Sequence, residues 1–217
     1  AKDWENAQWA PIEKYLDAAA MVAGDRLHVA VRTSFREKLE NNLEDPQILF
    51  KTGGALDLMI SNDPKADLSR AEPVAGDQRI LVSRSKKGGQ IKATLYRQVD
   101  PQNREKRVEF SSGWRNVFFD RVEDITDKVQ FPVETNVKMP PFDRLLFEFS
   151  VPLEVLGLSP ADGKTVKGDI GFLRGKSGDT LQRLYWHNKN SGLTADVPGE
   201  AMLTPMNWGV FEFHNAP

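Results

Sequence analysis

The sequence predicts an all-β fold: an antiparallel, jelly-roll-like β-sandwich with one or two short helical turns. Short apolar segments alternate with clusters of Gly, Pro, Asn and Asp, which gives about ten strands at the spacing typical of sandwiches. No segment has the length and 3.6-residue apolar period of a long helix. Sandwiches often reach this size as one unit, so the 217 residues are expected to form a single domain over 1–217.

In the first half of the chain, turn residues bound each predicted strand. The segment from Trp4 to Trp9 is expected to be an irregular lead-in whose rings cover the edge of a sheet. Strands are predicted over 27–33, 55–61, 79–84 and 91–97, the last two joined as a hairpin. The polar stretch 34–47 is expected to form a short helix or a long loop, and 62–77 a loop.

The second half contains the best strand of the chain, over 145–151. Pro152 opens and Gly157 ends a predicted helical turn directly after it. Further strands are predicted over 108–110, 116–120, 169–174, 182–187 and 208–213. Residues 188–200 are expected to form a long polar loop.

Composition narrows the possible functions. The formal charge of −2, from 29 basic and 31 acidic side chains, leaves no positive field for nucleic acid or an anionic membrane. The absence of cysteine excludes disulfides, thiolate nucleophiles and Cys-ligated metals. No run approaches the ~18 consecutive apolar residues of a membrane span, and the chain starts at Ala1, so we expect a processed or trimmed fragment from which a signal peptide or a neighbouring domain has been removed.

Asp57 is the unusual residue of its strand. The core-facing stripe consists of Leu56, Leu58 and Ile60. Asp57 therefore lies on the opposite face, where a carboxylate is expected to reach a ligand hydroxyl or an arginine. Arg79, at the start of a strand close in space, is the expected partner. The pair is predicted to lie together on an accessible surface.

Several aromatic residues are candidates for sugar binding, in which rings stack on C–H faces and polar side chains bond to hydroxyls. The available rings are Trp114, Trp186, Trp208 and Tyr185, with Arg183, Asn188, Asn190 and Asp57 as polar companions. Trp208, at the head of a strand, is expected to fill the core. Trp186 and Tyr185 are neighbours on one strand, so one of these two rings faces outward.

Metal-binding and catalytic motifs are weak. The three histidines lack HxxxH or HxH spacing, which disfavours zinc or iron. Asp63 and Asp67 are candidate calcium ligands because calcium takes oxygen ligands from loops, and an Asx-stabilised turn is the alternative. GxSxG, P-loop and GxGxxG motifs are absent, and no carboxylate pair stands out, so no catalytic residue is predicted.

Five segments occur in an order found in a known group of sandwiches. They are DW at 3–4, GDRLHVAV at 24–31, GALDLMI at 54–60, FEFSVPL at 147–153 and WG at 208–209. Over nearly the whole chain they resemble the family 9 carbohydrate-binding modules and the related DOMON-like sandwiches. The resemblance implies a non-catalytic module that binds polysaccharide or oligosaccharide, extracellular or periplasmic in bacteria, sometimes with structural calcium.

The resemblance also implies site residues. Asp57 matches the family's strand acid that bonds sugar, and Arg79 matches its arginine on the next strand. The two tryptophans that clamp the sugar in the family are missing, since the corresponding positions fall near Phe50-Lys51 and near Met202. The expected ligand-binding set is Asp57, Arg79, Phe50 in place of one ring, Trp186 approaching from another loop, and Asn188.

Two alternative functions stay open at this point. Relatives of this sandwich bind haem b through methionine with lysine or histidine, for which the candidates are Lys138-Met139 with Met202 or Met206. The other alternative is a structural accessory domain of a larger enzyme.

Overall fold

A computed structural model describes residues 4–5, 7–35, 39–85, 89–103, 105, 107–132, 135–139, 141–161, 163–190, 192 and 196–214. Within these residues it contains fifteen strands and two short α-helices, which confirms the predicted all-β sandwich. The strands are β1 Ala10–Glu13, β2 Leu16–Ala23, β3 Arg26–Thr33, β4 Glu40–Asn41, β5 Ala55–Ser61, β6 Asp77–Ser85, β7 Ile91–Arg97, β8 Val108–Ser111, β9 Asn116–Phe119, β10 Arg121–Asp124, β11 Thr135–Val137, β12 Arg144–Pro152, β13 Thr165–Lys176, β14 Asp179–Tyr185 and β15 Gly209–Glu212. The helices are α1 Leu153–Leu156 and α2 Val197–Ala201. Neither described helix has the length and apolar character needed to cross a lipid bilayer.

Two sheets face each other. The small sheet has the order β1-β2-β3-β12-β11, and the large sheet runs β10-β7-β6-β5-β13-β14, with β15 also paired to β13 and β4 to β6. Pairing within these two sheets is antiparallel except for the short parallel contact of β4 with β6. Strands β8 and β9 form a separate hairpin.

The main core lies between the two sheets and follows the two-residue alternation of the strands. The large sheet contributes Leu56, Leu58, Ile60, Ile80, Val82, Ile170 and Phe172, and the small sheet contributes Val29, Val31, Phe147, Phe149 and Val151. The predicted helical turn closes one end of this core. It is α1, which follows Pro152 and ends at Gly157 in the left-handed region at φ 61°.

The outer face of the large sheet is covered by three segments distant in sequence. We call residues 46–52, 108–119 and 196–208 the cover layer. Their apolar side chains pack on the sheet in a second core that includes Leu49, Phe50, Phe110, Phe119, Leu203 and Trp208. Edge-to-face contacts hold its rings together, for example Phe50 to Phe110 at 5.6 Å between centroids.

The structure differs from the prediction at the sheet edges and in one loop. Strands β1, β2, β4, β10 and β11 were not predicted, because Ala-rich or short polar segments give no clear apolar alternation. Helix α2 lies inside the predicted loop 188–200. The lead-in tryptophans, Trp4 and Trp9, cover the outer face of the small sheet at Ala19 and Ala30 rather than its edge.

Trp208 is confirmed as a core residue, with 1% of its surface exposed. Trp208→Ala is expected to lower the free energy of unfolding by roughly 3–5 kcal/mol, because the surrounding side chains relax only partly into the cavity. Trp114→Ala is the matched control, since Trp114 is 98% exposed and its loss should stay within about 0.5 kcal/mol. Chemical denaturation measures both, and equal stability of the two variants would contradict the core assignment.

Candidate functional site

A buried ion pair lies at the centre of the large sheet, beneath the cover layer. Arg79 on β6 donates from Nε to Asp57 Oδ1 at 3.0 Å and from Nη2 to Asp57 Oδ2 at 2.7 Å, a bidentate contact. Both side chains are buried. Burial alone would lower the pKa of Arg79, but the Asp57 carboxylate raises it, so the guanidinium stays charged.

The sequence analysis was right that Asp57 and Arg79 are partners and wrong that they lie on an accessible surface. The cover layer lies between this pair and solvent. Phe50 belongs to that layer and is itself buried, with its ring centroid 5.3 Å from Arg79 Cζ. Ligand contact by these three residues stays a prediction, and in the present arrangement they serve as internal structure.

Tyr185 on β14 joins the ion pair across β13. Its hydroxyl donates to Asp57 Oδ2 at 2.8 Å and accepts from Arg183 Nη2 at 2.7 Å. The ring crosses β13 at Gly171, where a Cβ atom would collide with ring carbons Cδ1 and Cε1. Gly171 is therefore required by the close approach of the ring. Burial raises the pKa of Tyr185, so its hydroxyl keeps the proton that it donates.

Two buried guanidinium groups hold α2 against the sheet. Arg79 Nη1 donates to the Glu200 carbonyl oxygen at 2.7 Å, and Arg183 Nη2 donates to the same oxygen at 3.0 Å. The last carbonyls of a helix lack partners within the helix, so these contacts satisfy one of them. At the other end Asp196 caps α2, accepting from Gly199 N at 3.0 Å. Helix α2 is therefore fixed at both ends.

Arg183 and Glu200 keep unused hydrogen-bonding capacity. Arg183 is 5% exposed, and its Nη1 has no hydrogen-bond partner among the described residues. Glu200 Oε2 is unpartnered within the same set, and the two atoms lie 4.0 Å apart. This separation allows ionic attraction but is too long for a hydrogen bond. A water molecule or a ligand hydroxyl between them would complete both groups.

A cleft of about 260 Å³ opens beside Arg183, between β14 and the edge strand β1 of the small sheet. It is lined by Ile12, Glu13, Arg183, Leu184, Tyr185, Asn188, Lys189 and Gly192. Lys189 joins the two sheets at this edge, because its Nζ donates to Ile12 O at 3.1 Å and also to Tyr185 O. The lining combines apolar side chains with hydrogen-bond donors and acceptors.

Asp169 on β13 positions the loop that carries Asn188. Its Oδ2 accepts from Asn188 N at 2.7 Å, and its Oδ1 accepts from His187 N at 3.0 Å. Asn188 Oδ1 in turn accepts from Asn190 N at 3.1 Å. Burial raises the pKa of Asp169 to about 6, although these N–H donors favour the charged form. Asn188 is thus brought to the cleft by a buried carboxylate.

Trp186 is separated from Asp57, contrary to the expectation that both contact one ligand. Its ring stacks on Phe211 with centroids 5.6 Å apart and an interplanar angle of 15°. It packs against the main core, whereas the adjacent Tyr185 faces the ion pair. Successive side chains point to opposite faces of a strand, so Trp186 and Asp57 lie on opposite faces of the large sheet.

Asp63 and Asp67 adopt the alternative that the sequence left open, the Asx turn. Asp63 Oδ1 accepts from Lys65 N at 2.9 Å, and Asp67 Oδ1 accepts from Ser69 N at 2.8 Å. The Ser69 backbone and hydroxyl donors lower the pKa of Asp67. Over the described ranges, no three acidic or histidine side chains gather as a metal site would need. Calcium binding at Asp63 and Asp67 therefore stays a prediction.

The three methionines that are candidate haem ligands lie in different environments. Met202 Sδ accepts from Arg115 Nη2 at 2.9 Å, and Met206 is exposed. Met139 follows β11 in the loop before β12. Haem binding stays an untested prediction that gains no support from these positions.

Sequence reasoning missed the residues that organise this site. The sequence analysis predicts a loop over 188–200 and gives Glu200 no role. Asp196, two residues before Pro198, is nevertheless a signal for the start of a helix. The sequence analysis names Tyr185 as a candidate ring and Arg183 as a polar companion for sugar, whereas their spacing of two places both side chains on the face of Asp57. Asp169 had no sequence signal apart from its position in a buried strand.

Arg79→Met is expected to lower the free energy of unfolding by about 3–5 kcal/mol, because Asp57 is left as a buried charge without its partner. The double variant Asp57→Leu/Arg79→Met should recover part of that loss, since it removes both charges. Chemical denaturation of the two single variants and the double variant measures the coupling. Additive losses would show that the two side chains do not depend on each other.

The raised pKa of Asp169 predicts a pH dependence of stability. The folded-state pKa of about 6 lies above the unfolded value, so the stabilising contribution is complete below about pH 4 and is lost as pH rises through 6. The loss amounts to at most about 3 kcal/mol. Asp57 and Lys167 are the nearby charges that also act on Asp169.

The test compares wild type with Asp169→Asn, which does not titrate, by denaturation from pH 4 to pH 7. The stability of the variant relative to wild type should rise across this interval and then level off. A difference that does not change with pH would show that Asp169 titrates as it does in the unfolded chain.

Comparison with known proteins relates this fold to solved structures. No protein-family model matches the chain, and no curated protein matches it. Its structure is similar to that of a family 9 carbohydrate-binding module from Caldicellulosiruptor kristjanssonii in complex with glucose, with a TM-score of 0.53, 10% identity and coverage of 100% of this chain and 89% of that one. A family 9 module from the same organism in complex with cellotriose gives a TM-score of 0.56, 11% identity and coverage of 100% and 87%. The chain therefore has the fold of the family 9 carbohydrate-binding modules.

Proposed function

We propose that this domain is a non-catalytic module that binds carbohydrate at the cleft beside Arg183. The observation that carries the proposal is the composition of that cleft. Arg183, whose Nη1 is unpartnered among the described residues, lies there with Asn188 and Lys189, next to the apolar Ile12 and Leu184. Sugar rings present hydroxyl groups and apolar C–H faces together, so a site of mixed composition suits them.

The shared fold supports the same ligand class. The two similar structures hold glucose and cellotriose. At 10% and 11% identity the likeness concerns the fold, so for this chain the ligand class rests on the cleft. Asn188, which was expected from sequence to bind ligand, is the predicted residue that lines it.

Each polar group has a distinct role in this proposal. The Arg183 guanidinium is the charged donor for a sugar hydroxyl, and the Asn188 side chain, whose Oδ1 accepts from Asn190 N, adds its amide group to the lining. Asp57 and Arg79 do not contact the ligand in this proposal. They hold Tyr185 and the carbonyl end of α2 in position. The cleft therefore has a rigid floor, which lowers the entropic cost of binding.

The surrounding carboxylates favour binding over hydrolysis. Glycoside hydrolysis needs two carboxyl groups facing each other across the scissile bond. Asp57 is bound by Arg79, Asp169 by backbone N–H groups and Glu200 Oε1 by Lys51 at 2.9 Å. These contacts commit the buried acids near the cleft to structure. We also propose the extracellular or periplasmic bacterial location that the family resemblance implies.

The proposal is tested by calorimetric titration with cellotriose and glucose, preceded by a glycan array that identifies other binders. Asn188→Ala should weaken the best ligand by roughly tenfold, or about 1.4 kcal/mol, as expected for loss of a neutral hydrogen bond. Arg183→Met should weaken it more, because hydrogen bonds from charged donors contribute about 1.5–3 kcal/mol.

Asn190→Ala is the matched control, because Asn190 has the same side chain two positions along but is exposed and does not line the cleft. Its affinity should equal that of wild type. Melting curves of all three variants establish that they are folded. Failure of the wild type to bind any glycan, or equal affinity of all variants, would reject carbohydrate binding at this cleft.

A further inference from the structure

The outward face of the β8–β9 hairpin carries exposed aromatic rings separated by polar side chains. Trp114, in the turn of this hairpin, is 98% exposed, and Phe118 on β9 is 45% exposed. Because β9 alternates, Asn116 lies on the same outward face as Phe118, and their cross-strand partners are Ser111 and Glu109. We call Glu109, Ser111, Trp114, Asn116 and Phe118 the hairpin strip.

The hairpin strip is held rigidly from below. Phe110 and Phe119 point inward and meet edge to face, with ring centroids 5.4 Å apart. The turn is closed by Ser112 N donating to Arg115 O at 3.1 Å and by Ser111 Oγ donating to Asn116 Oδ1 at 2.7 Å. Arg115 also contacts Met202 at the end of α2. Trp114 is thus displayed on a fixed support.

The chemistry of the strip favours a neutral ligand with hydroxyl groups. A tryptophan ring is the strongest stacking surface among side chains, and Ser111, Asn116 and Glu109 offer donors and acceptors beside it. Glu109 and Arg115 carry opposite charges, and Arg107 just before β8 pairs with Asp120, so these groups give the strip no excess positive charge of the kind that a nucleic acid needs. Neutral polysaccharides combine apolar ring faces with hydroxyl groups at regular intervals.

The apolar area argues against a stable protein partner. Complete burial of an aromatic side chain covers roughly 150–250 Å². The two rings together supply at most about 500 Å², well short of the roughly 800 Å² per partner in a standard protein interface. A polysaccharide chain needs only a few such stacking contacts, because several rings along one chain bind together.

We propose that the hairpin strip is a second carbohydrate contact, which binds an extended neutral polysaccharide through Trp114 and Phe118. This inference rests on the proposed function and extends it from short sugars at the cleft to long chains at the surface. A chain long enough to contact both the cleft and the strip gains affinity that a single sugar unit does not.

The test measures retention of the protein on amorphous cellulose, xylan, mannan and chitin, together with calorimetric titration of glucose and cellotriose. Trp114→Ala should weaken binding to the retained polysaccharide by roughly tenfold, or about 1.4 kcal/mol. Its affinity for the monosaccharide should equal that of wild type. Phe118→Thr should weaken polysaccharide binding in the same direction and preserve the strand.

Phe142→Ala is the matched control, because Phe142 is another exposed aromatic residue and packs against Tyr15, next to the small sheet. It should bind every ligand as wild type does. If the wild type binds a sugar or a polysaccharide and Trp114→Ala is retained on the polysaccharide as strongly as the wild type, the hairpin strip is rejected as a contact. That result would not affect the proposal for the cleft. A wild type that binds no ligand in either assay would overturn both.

Discussion

The bidentate contact between Arg79 and Asp57 connects the large sheet to the cover layer on its outer face. One guanidinium bonds to Asp57 with two nitrogens and to the Glu200 carbonyl with the third. Helix α2 is thereby held in register, and Met202 at its end meets Arg115 of the hairpin. A buried ion pair carries a large desolvation cost, so its net contribution to stability is modest. The main effect of this ion pair is to determine the position of the cover layer on the sheet.

This constraint changes what the shared fold implies. In the family that the sequence resembles, an acid and an arginine at matching positions bond to sugar, whereas here the chain's own Glu200 carbonyl and the Tyr185 hydroxyl occupy them. Under the proposed function, recognition therefore uses groups away from this buried pair. The cleft at Arg183 and the hairpin strip each combine apolar surface with polar groups.

The sequence predicted those features that depend on local pattern. Alternation within 55–61 placed Asp57 opposite the core stripe, and its pairing with Arg79 follows from the antiparallel neighbours β5 and β6. Burial of the pair was not predictable in this way, because the segments that cover it are about 60 to 90 residues apart in sequence. The apolar residues of 108–119 predict two strands, but nothing in them indicates on which face of which sheet these strands pack. Glu200 was missed for a related reason, since a five-residue helix gives too short a period to recognise.

The geometry at Arg183 also restricts the chemical class of any group that binds there. Nη1 of Arg183 needs an acceptor, and Glu200 Oε2, at 4.0 Å from it, needs a donor when ionised. A carboxylate satisfies the arginine but is repelled by Glu200, and an ammonium group satisfies Glu200 but is repelled by the arginine. A hydroxyl both accepts and donates, so it completes both partners at once without adding charge to a buried position. Water meets the same requirement, so under the proposed function a sugar hydroxyl would replace a group of equal hydrogen-bonding capacity, and its affinity would come from the apolar lining and from the entropy of released water.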